Sequence, residues 1–254
     1  MRAIILAAGR GSRMGSLGNE RPKCLIELGG KPLIERQVAA LRAGGIDEVG
    51  VVRGYRPEMI ALPDITYFDN PRWAESNMVT SLAVAADWLH VGSVIVSYAD
   101  IFYRRELVRR LATAAGDLVI SYDRNWRMLW SRRFADPLSD AETFRIDEAG
   151  VLVEIGGKTR NIEEIKGQYM GLLKFTPPAW REVESLRAEL EPAARDRLDM
   201  TGLLRRLLGH GFPIATLGTE GNWGEIDNPD DLELYERMVA DGELRLDDDA
   251  TNGA

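Results

Sequence analysis

The chain carries one cysteine, Cys24, and two histidines, His90 and His210. A lone thiol excludes an internal disulfide and a cysteine-based zinc site, and two imidazoles exclude a multi-histidine metal centre. Any metal should then be a hard cation held by carboxylates and phosphate oxygens, Mg2+ first. No apolar run approaches the ~20 residues of a membrane span. The N-terminus runs straight into a strand without the charged, apolar and small-residue pattern of a leader, so a cytoplasmic protein with no membrane partner is expected. Net positive charge is lacking too: 40 acidic residues outnumber 32 basic ones, and the net charge of −8 at pH 7 argues against a nucleic-acid partner. An anionic ligand must therefore be held by local positive charge, because the global field does not attract it.

What is present begins at once. Ile4-Ile5-Leu6-Ala7-Ala8-Gly9-Arg10-Gly11-Ser12-Arg13-Met14-Gly15 is an apolar strand running into a loop of Gly, Ser and Arg, with Arg21-Pro22-Lys23 beyond it. Glycines let the backbone approach a ligand and turn N–H groups toward an anion, while arginines add fixed positive charge. The natural reading is a phosphate cradle, against the plainer one of a tight strand-to-helix turn. It lacks the Gly-Lys-Ser/Thr of a P-loop. Its Gly9, Gly11 and Gly15 are spaced one residue too far for the dinucleotide fingerprint, and no acidic residue ends the second strand.

At 254 residues one domain, or a domain with an elaborated insert, is expected. Strands are predicted over 2–8, 49–52, 65–68, 93–97, 117–122 and 214–217. Helices are predicted over 33–43, 77–88, 104–115, 177–190 and 199–209, with a last one from Pro229. This alternation predicts an α/β, Rossmann-like, mostly parallel sheet with helices on both faces. Residues 1–240 make a single domain in this reading, 124–173 an inserted lobe rich in aromatics and charge, and 241–254 an acidic disordered tail. In such sheets the ligand sits beyond the carboxyl ends of the strands, where both the opening loop and Asp100 fall. Asp100 ends an apolar strand, so it either caps the next turn or binds something cationic. Asp227, just before the last helix, is a second such carboxylate or an N-cap-region residue.

The ordered string Leu6-Ala7-Ala8-Gly9-Arg10-Gly11-Ser12-Arg13-Met14-Gly15, then Arg21-Pro22-Lys23-Cys24-Leu25, resembles the signature of the nucleotidyltransferases that make nucleoside-diphosphate sugars and related activated alcohols. Further pieces resemble the cytidylyltransferases acting on phosphocholine and on phosphonates such as 2-aminoethylphosphonate. They are Glu75-Ser76-Asn77-Met78-Val79-Thr80-Ser81-Leu82, Tyr98-Ala99-Asp100-Ile101-Phe102, Asp123-Arg124-Asn125-Trp126, Glu154-Ile155-Gly156-Gly157-Lys158 and Gly167-Gln168-Tyr169-Met170-Gly171-Leu172. The likeness spans nearly 1–240.

That resemblance implies a Mg2+-dependent cytidylyltransferase that joins CMP from CTP to a phosphonate or phosphate monoester (2-aminoethylphosphonate, a hydroxyalkylphosphonate or phosphocholine) and releases pyrophosphate. It implies that residues 6–12 wrap the nucleotide, Arg13 and Lys23 contact its phosphates, and Asp100 with Asp227 hold the metal. Lys23, Arg13 and Asp100 are the expected catalytic residues. Asn77 and Ser81, one turn apart at a helix start, suit a base or ribose, although a plain N-cap explains Asn77 equally well. Glu225 is a third acidic candidate beside Asp227. Lys158 either reaches an acceptor oxygen or is solvated. Trp126, Trp130, Tyr169 and Trp223 either form lobe core or line a pocket for an organic cation. Asp136, Asp140 and Glu142 are unranked partners for a substrate amine. Two rivals stay open: a sugar-1-phosphate nucleotidylyltransferase and a non-catalytic nucleotide-sensing module. Oligomeric state is open as well, with a homodimer as one option.

Overall fold

A computed structural model describes residues 1–15 and 20–246. Seven strands build the main sheet: β1 (Arg2–Ala7), β2 (Glu48–Arg53), β3 (Thr66–Asp69), β4 (Val94–Tyr98), β5 (Leu118–Asp123), β6 (Gln168–Phe175) and β7 (Ala215–Thr219). The helices are α1 (Leu33–Ala43), α2 (Met78–Ala83), α3 (Ala86–Val91), α4 (Arg105–Thr113) and α5 (Trp126–Arg133), followed by α6 (Pro177–Glu189), α7 (Pro192–Arg197), α8 (Met200–Gly209) and α9 (Pro229–Ala240). Among the described residues no helix is long and apolar enough to cross a membrane.

Across the sheet the strands run β7-β5-β6-β4-β1-β2-β3. β1 pairs in parallel with β2 and β4, β2 with β3, and β5 with β7. β1 shows why the sheet is covered twice. Ala3, Ile5 and Ala7 point into one core with Leu33, Leu41 and Leu111, while Ile4 points into another with Leu82, Trp180 and Leu204. Successive side chains alternate between faces, so a strand that is apolar throughout needs helices on both. The α/β, mostly parallel, Rossmann-like architecture is as expected.

The differences have physical reasons. β6 was expected inside the inserted lobe, yet it is the one strand of the main sheet antiparallel to its neighbours, lying between β4 and β5. Its register shifts between Tyr169 and Leu173. Gly171 sits there at φ 75, and a Cβ on it would fall 2.6 Å from the Tyr98 ring. Polar Gln168 and a glycine interrupt the alternation that marks a strand, which hid it. The helix expected over 77–88 divides into α2 and α3 at Val84 and Ala85.

What remains of the lobe is α5 and a hairpin of Phe144–Ile146 with Leu152–Ile155. Part of the stretch expected as a disordered tail is packed: Leu244 and Leu246 are buried in the β1–α1 core. The rest of that expected tail, 247–254, lies outside the described residues.

Candidate active site

The opening loop leaves the carboxyl end of β1 at the middle of the sheet, and Asp100 follows β4 beside it. Gly11 adopts φ 71, a left-handed conformation that favours glycine, and a Cβ there would lie 2.7 Å from the Lys23 Cβ. Loop and lysine are therefore built against each other. Lys23, held in a single turn over Lys23–Leu25, is buried, and its ammonium reaches two carboxylates. Its Nζ donates to Asp100 Oδ2 at 2.7 Å and to Asp227 Oδ1 at 2.6 Å. Arg13 Nη1 donates to Asp227 Oδ2 at 2.9 Å. Burial pulls the Lys23 ammonium down, but the attraction of Asp100 and Asp227 and their hydrogen bonds outweigh it, so the net shift is upward.

Asp227 is not the helix cap. Asn228 caps α9, its side-chain oxygen accepting from the Asp231 N–H at 3.0 Å. The Asp227 N–H instead donates to Asp231 Oδ2 at 2.9 Å. Asp231 is also gripped by Arg133, whose Nε and Nη2 donate to its two oxygens at 2.8 and 3.0 Å. The Arg133 side chain is 1% exposed, its guanidinium lies 5.1 Å from the ring centroids of both Trp130 and Phe134, and it approaches Glu225 at 3.7 Å and Asp227 at 3.9 Å. This pair fixes the acidic loop from behind. Asp231→Ala would strip a buried guanidinium of its hydrogen-bonded carboxylate, and urea unfolding is expected to show a loss of about 3–5 kcal/mol.

Carboxylate oxygens of Asp100, Glu225 and Asp227 all lie within 4.8 Å of one another. Burial, then Asp100 and Asp227, push the Glu225 carboxyl above its usual range. Asp100 Oδ1 is buried with no hydrogen-bonding partner among the described residues. Three clustered carboxylates and an orphaned oxygen that Lys23 does not reach are the donor set of a hard divalent cation. The residues fit such an ion.

Two cavities meet here. The first, about 300 Å3, is lined by Leu6, Ala7, Ala8, Gly9, Gly11, Ser12, Arg13, Lys23, Asn77, Ser81 and Asp100, together with Trp73, Met78 and Tyr98. Of the expected nucleotide residues only Arg10 is outside this lining; it is exposed, 5.8 Å from the Tyr55 ring. Asn77 does cap α2, its side chain accepting from the Met78 N–H. Ser81 is buried, and its hydroxyl accepts from Asn70 Nδ2 at 3.0 Å. Cys24 also lines this cavity, and burial pushes its thiol up to about 12. A thiol reagent at pH 8 is expected to find nothing fast-reacting in the native protein and one thiol in urea.

The second cavity, about 270 Å3, shares Arg13, Met78 and Tyr98 with the first and adds Trp130, Tyr169, Glu225 and Asp227. Its far wall carries Asp140, Glu142 and Asp199. The aromatic candidates divide. Trp126 is buried and donates to the Ile165 carbonyl at 3.3 Å, and Trp223 is buried and donates to Asp123 Oδ2 at 2.8 Å; neither lines either cavity. Lys158 is exposed and outside both linings, its ammonium donating to the Asp140 carbonyl at 2.8 Å. Asp136 caps a turn, accepting from the Leu138 N–H at 3.0 Å.

Sequence reasoning missed Trp73, Tyr98, Met78, Asp199 and Arg133. Met78 is next to Asn77 and Tyr98 two residues before Asp100, both inside stretches already singled out; Trp73, Asp199 and Arg133 carried no local signal.

A glycine loop at an interior strand, a paired lysine, an acidic cluster and two joined cavities define a phosphate-handling α/β enzyme. The family model of the MobA-like NTP transferase domain matches residues 3–157, and the chain belongs to that family. It is a nucleotidyltransferase. It shares 36% identity over 250 residues with the CTP:phosphoglutamine cytidylyltransferase of Campylobacter jejuni, covering 92% of this chain and 98% of that one. With the 2-aminoethylphosphonate cytidylyltransferase of Lancefieldella rimae it shares 30% over 159 residues, covering 61% of this chain and 60% of that one. The inositol-1-phosphate CTP transferase from T. maritima has the same fold, with TM-score 0.73 at 19% identity over 93% of this chain and 95% of that one. The resemblance read from the motifs holds: these two relatives are cytidylyltransferases, one of them named for a phosphonate.

Proposed function

We propose that this enzyme is a Mg2+-dependent cytidylyltransferase that joins CMP from CTP to a small phosphonate or phosphate and releases pyrophosphate. The acceptors favoured are those that also carry a cationic amine, such as 2-aminoethylphosphonate or phosphocholine. The observation that carries the reading is the bridge of Lys23 between Asp100 and Asp227 at the junction of two cavities. The relatives support CTP as the nucleotide and a phosphoryl or phosphonyl group as the acceptor.

The acceptor needs no strong base, because a phosphate monoester with its second pKa near ~6 is already an anion at neutral pH. What the chain must supply is position and positive charge. The loop amides after Ala8 receive the triphosphate. Arg13, which lines both cavities, and Lys23 neutralise charge where acceptor oxygen and α-phosphate meet. Asp100, Asp227 and Glu225 would hold Mg2+, which when bound neutralises phosphate charge.

On the far wall Asp140 is tied to the Trp130 indole at 3.0 Å, and Asp199 caps α8 by accepting from the Gly202 N–H at 2.7 Å. Glu142 is different: its carboxylate has no hydrogen-bonding partner among the described residues, while Gln168 pins its backbone at both N–H and carbonyl. Acid and aromatic walls suit an ammonium better than the neutral hydroxyls of a sugar phosphate. A hydrogen bond to a charged group contributes about 1.5–3 kcal/mol. Glu142→Gln should therefore raise KM for 2-aminoethylphosphonate about 10-fold or more, with kcat little changed, and leave KM for ethylphosphonate unaltered. Equal effects on both acceptors, or none, would contradict the assignment.

A further inference from the structure

On another face of the molecule α2, α6 and α7 enclose a groove of about 400 Å3 whose lining includes Arg72, Arg187 and Arg195. Two carboxylates share it, and both are engaged. Asp196 accepts from Arg72 at 2.5 and 3.4 Å, and Glu184 is bonded to His90 Nε2 at 2.8 Å. Arg187 and Arg195 line the same groove. Arg187 Nη2 reaches only the Thr80 hydroxyl, at 3.5 Å, and its Nε is buried with no partner among the described residues. The Arg195 guanidinium has no hydrogen bond or ion pair among the described residues; only its backbone is engaged, the N–H donating to the Glu191 carbonyl at 2.9 Å and the carbonyl accepting from Thr80 Oγ1 at 3.3 Å and the Leu198 N–H at 3.4 Å. Burial and then the neighbouring Arg195 pull Arg187 below the usual guanidinium value. Two like charges held together, one with a buried donor unmet, is an arrangement that an oxyanion relieves, since guanidinium forks match its oxygens.

We propose that this groove is a second anion site, separate from the active site, that takes a phosphate-type oxyanion on Arg187 and Arg195. Its occupancy reaches the nucleotide cavity through α7. The Asp196 carbonyl accepts from the Asn77 N–H at 2.7 Å and the Arg197 carbonyl from Asn77 Nδ2 at 3.3 Å, while Ser76, Asn77 and Met78 line that cavity. An anion that draws α6 and α7 together fixes this wall and tightens nucleotide binding.

The test titrates inorganic phosphate into the full chain, following the arginine Nε–Hε resonances and the KM for CTP. The resonances test the site alone, whereas the KM rests on the reading of the enzyme as CTP-dependent. A saturable shift of the resonance missing from the Arg187→Gln spectrum is expected, with a fall in KM of about 5-fold or more. Arg195→Gln should abolish both responses at unchanged basal kcat, and Arg195→Lys, which keeps the charge, should retain part of them. Glycerol 2-phosphate run alongside separates the sources: response to phosphate alone assigns the free ion, response to both assigns the phosphoryl group of a metabolite. No saturable shift, or the same shift in Arg195→Gln, would overturn the site. A saturable shift without a change in KM would overturn its coupling to the nucleotide.

Discussion

Replacing Lys23 with alanine is expected to lower turnover at least ~100-fold while the fold persists. The ammonium is buried, yet it lies between two cavities and is shared by carboxylates from loops far apart in the chain, Asp100 and Asp227. Removing it takes away the one lysine positioned where acceptor and α-phosphate would meet; a single preorganised donor at such a point is typically worth a factor of ~100–1000 in rate. The fold should tolerate the loss because Asp100 and Asp227 keep 21% and 11% side-chain exposure at the cavity floor, so water or a cation can reach them. Lys23→Arg should not restore activity: the branched guanidinium cannot put one nitrogen within 2.7 Å of both carboxylates while its stem packs on Gly11. Circular dichroism and the denaturation midpoint report the fold, and steady-state kinetics the loss. Turnover within a few-fold of wild type would remove Lys23 from the mechanism.

The companion result concerns charge of the other sign. Asp100→Asn and Asp227→Asn keep shape but remove an anionic ligand, and each should reduce turnover at least ~100-fold. They should also lose a property that does not depend on turnover. Cation binding to the native state alone stabilises it by about 2.7 kcal/mol at 100 times Kd, so Mg2+ is expected to raise the melting temperature of the wild type. That rise should shrink or vanish in both variants, and a chelator should abolish wild-type turnover. Stabilisation by Mg2+ equal in wild type and both variants would show that Asp100 and Asp227 do not hold the ion.

How far the sequence disclosed this site depended on how local each signal was. The loop at Gly9–Gly15 and Lys23 stands out because strand, glycines and basic residues occur in one unbroken stretch. Asp100 stands out because an apolar strand seldom ends in a carboxylate without purpose. The sheet was legible through period and alternation except at β6, where Gln168 and Gly171 break the pattern and a long-range antiparallel pairing replaces the expected crossover. Arg133 was invisible because its partner, Asp231, lies almost 100 residues away (|i−j| = 98) and only the fold brings them together. Of the two fates the sequence left open for the tryptophans, Trp126 and Trp223 take the core one, as large apolar side chains with one hydrogen bond each. Lys158 follows two glycines and looked free to reach a ligand, but the carbonyls of Asp140 and Ala141 hold it.

The most direct measurement is pyrophosphate release with each of the four ribonucleoside triphosphates against 2-aminoethylphosphonate, phosphocholine, ethylphosphonate, which lacks the amine, and glucose 1-phosphate, in Mg2+. The account predicts release with CTP and an amine-bearing phosphonate or phosphate, accompanied by the CMP conjugate in the mass spectrum. Preferred turnover of the sugar phosphate, a preference for another triphosphate, or no release with any pair would contradict it.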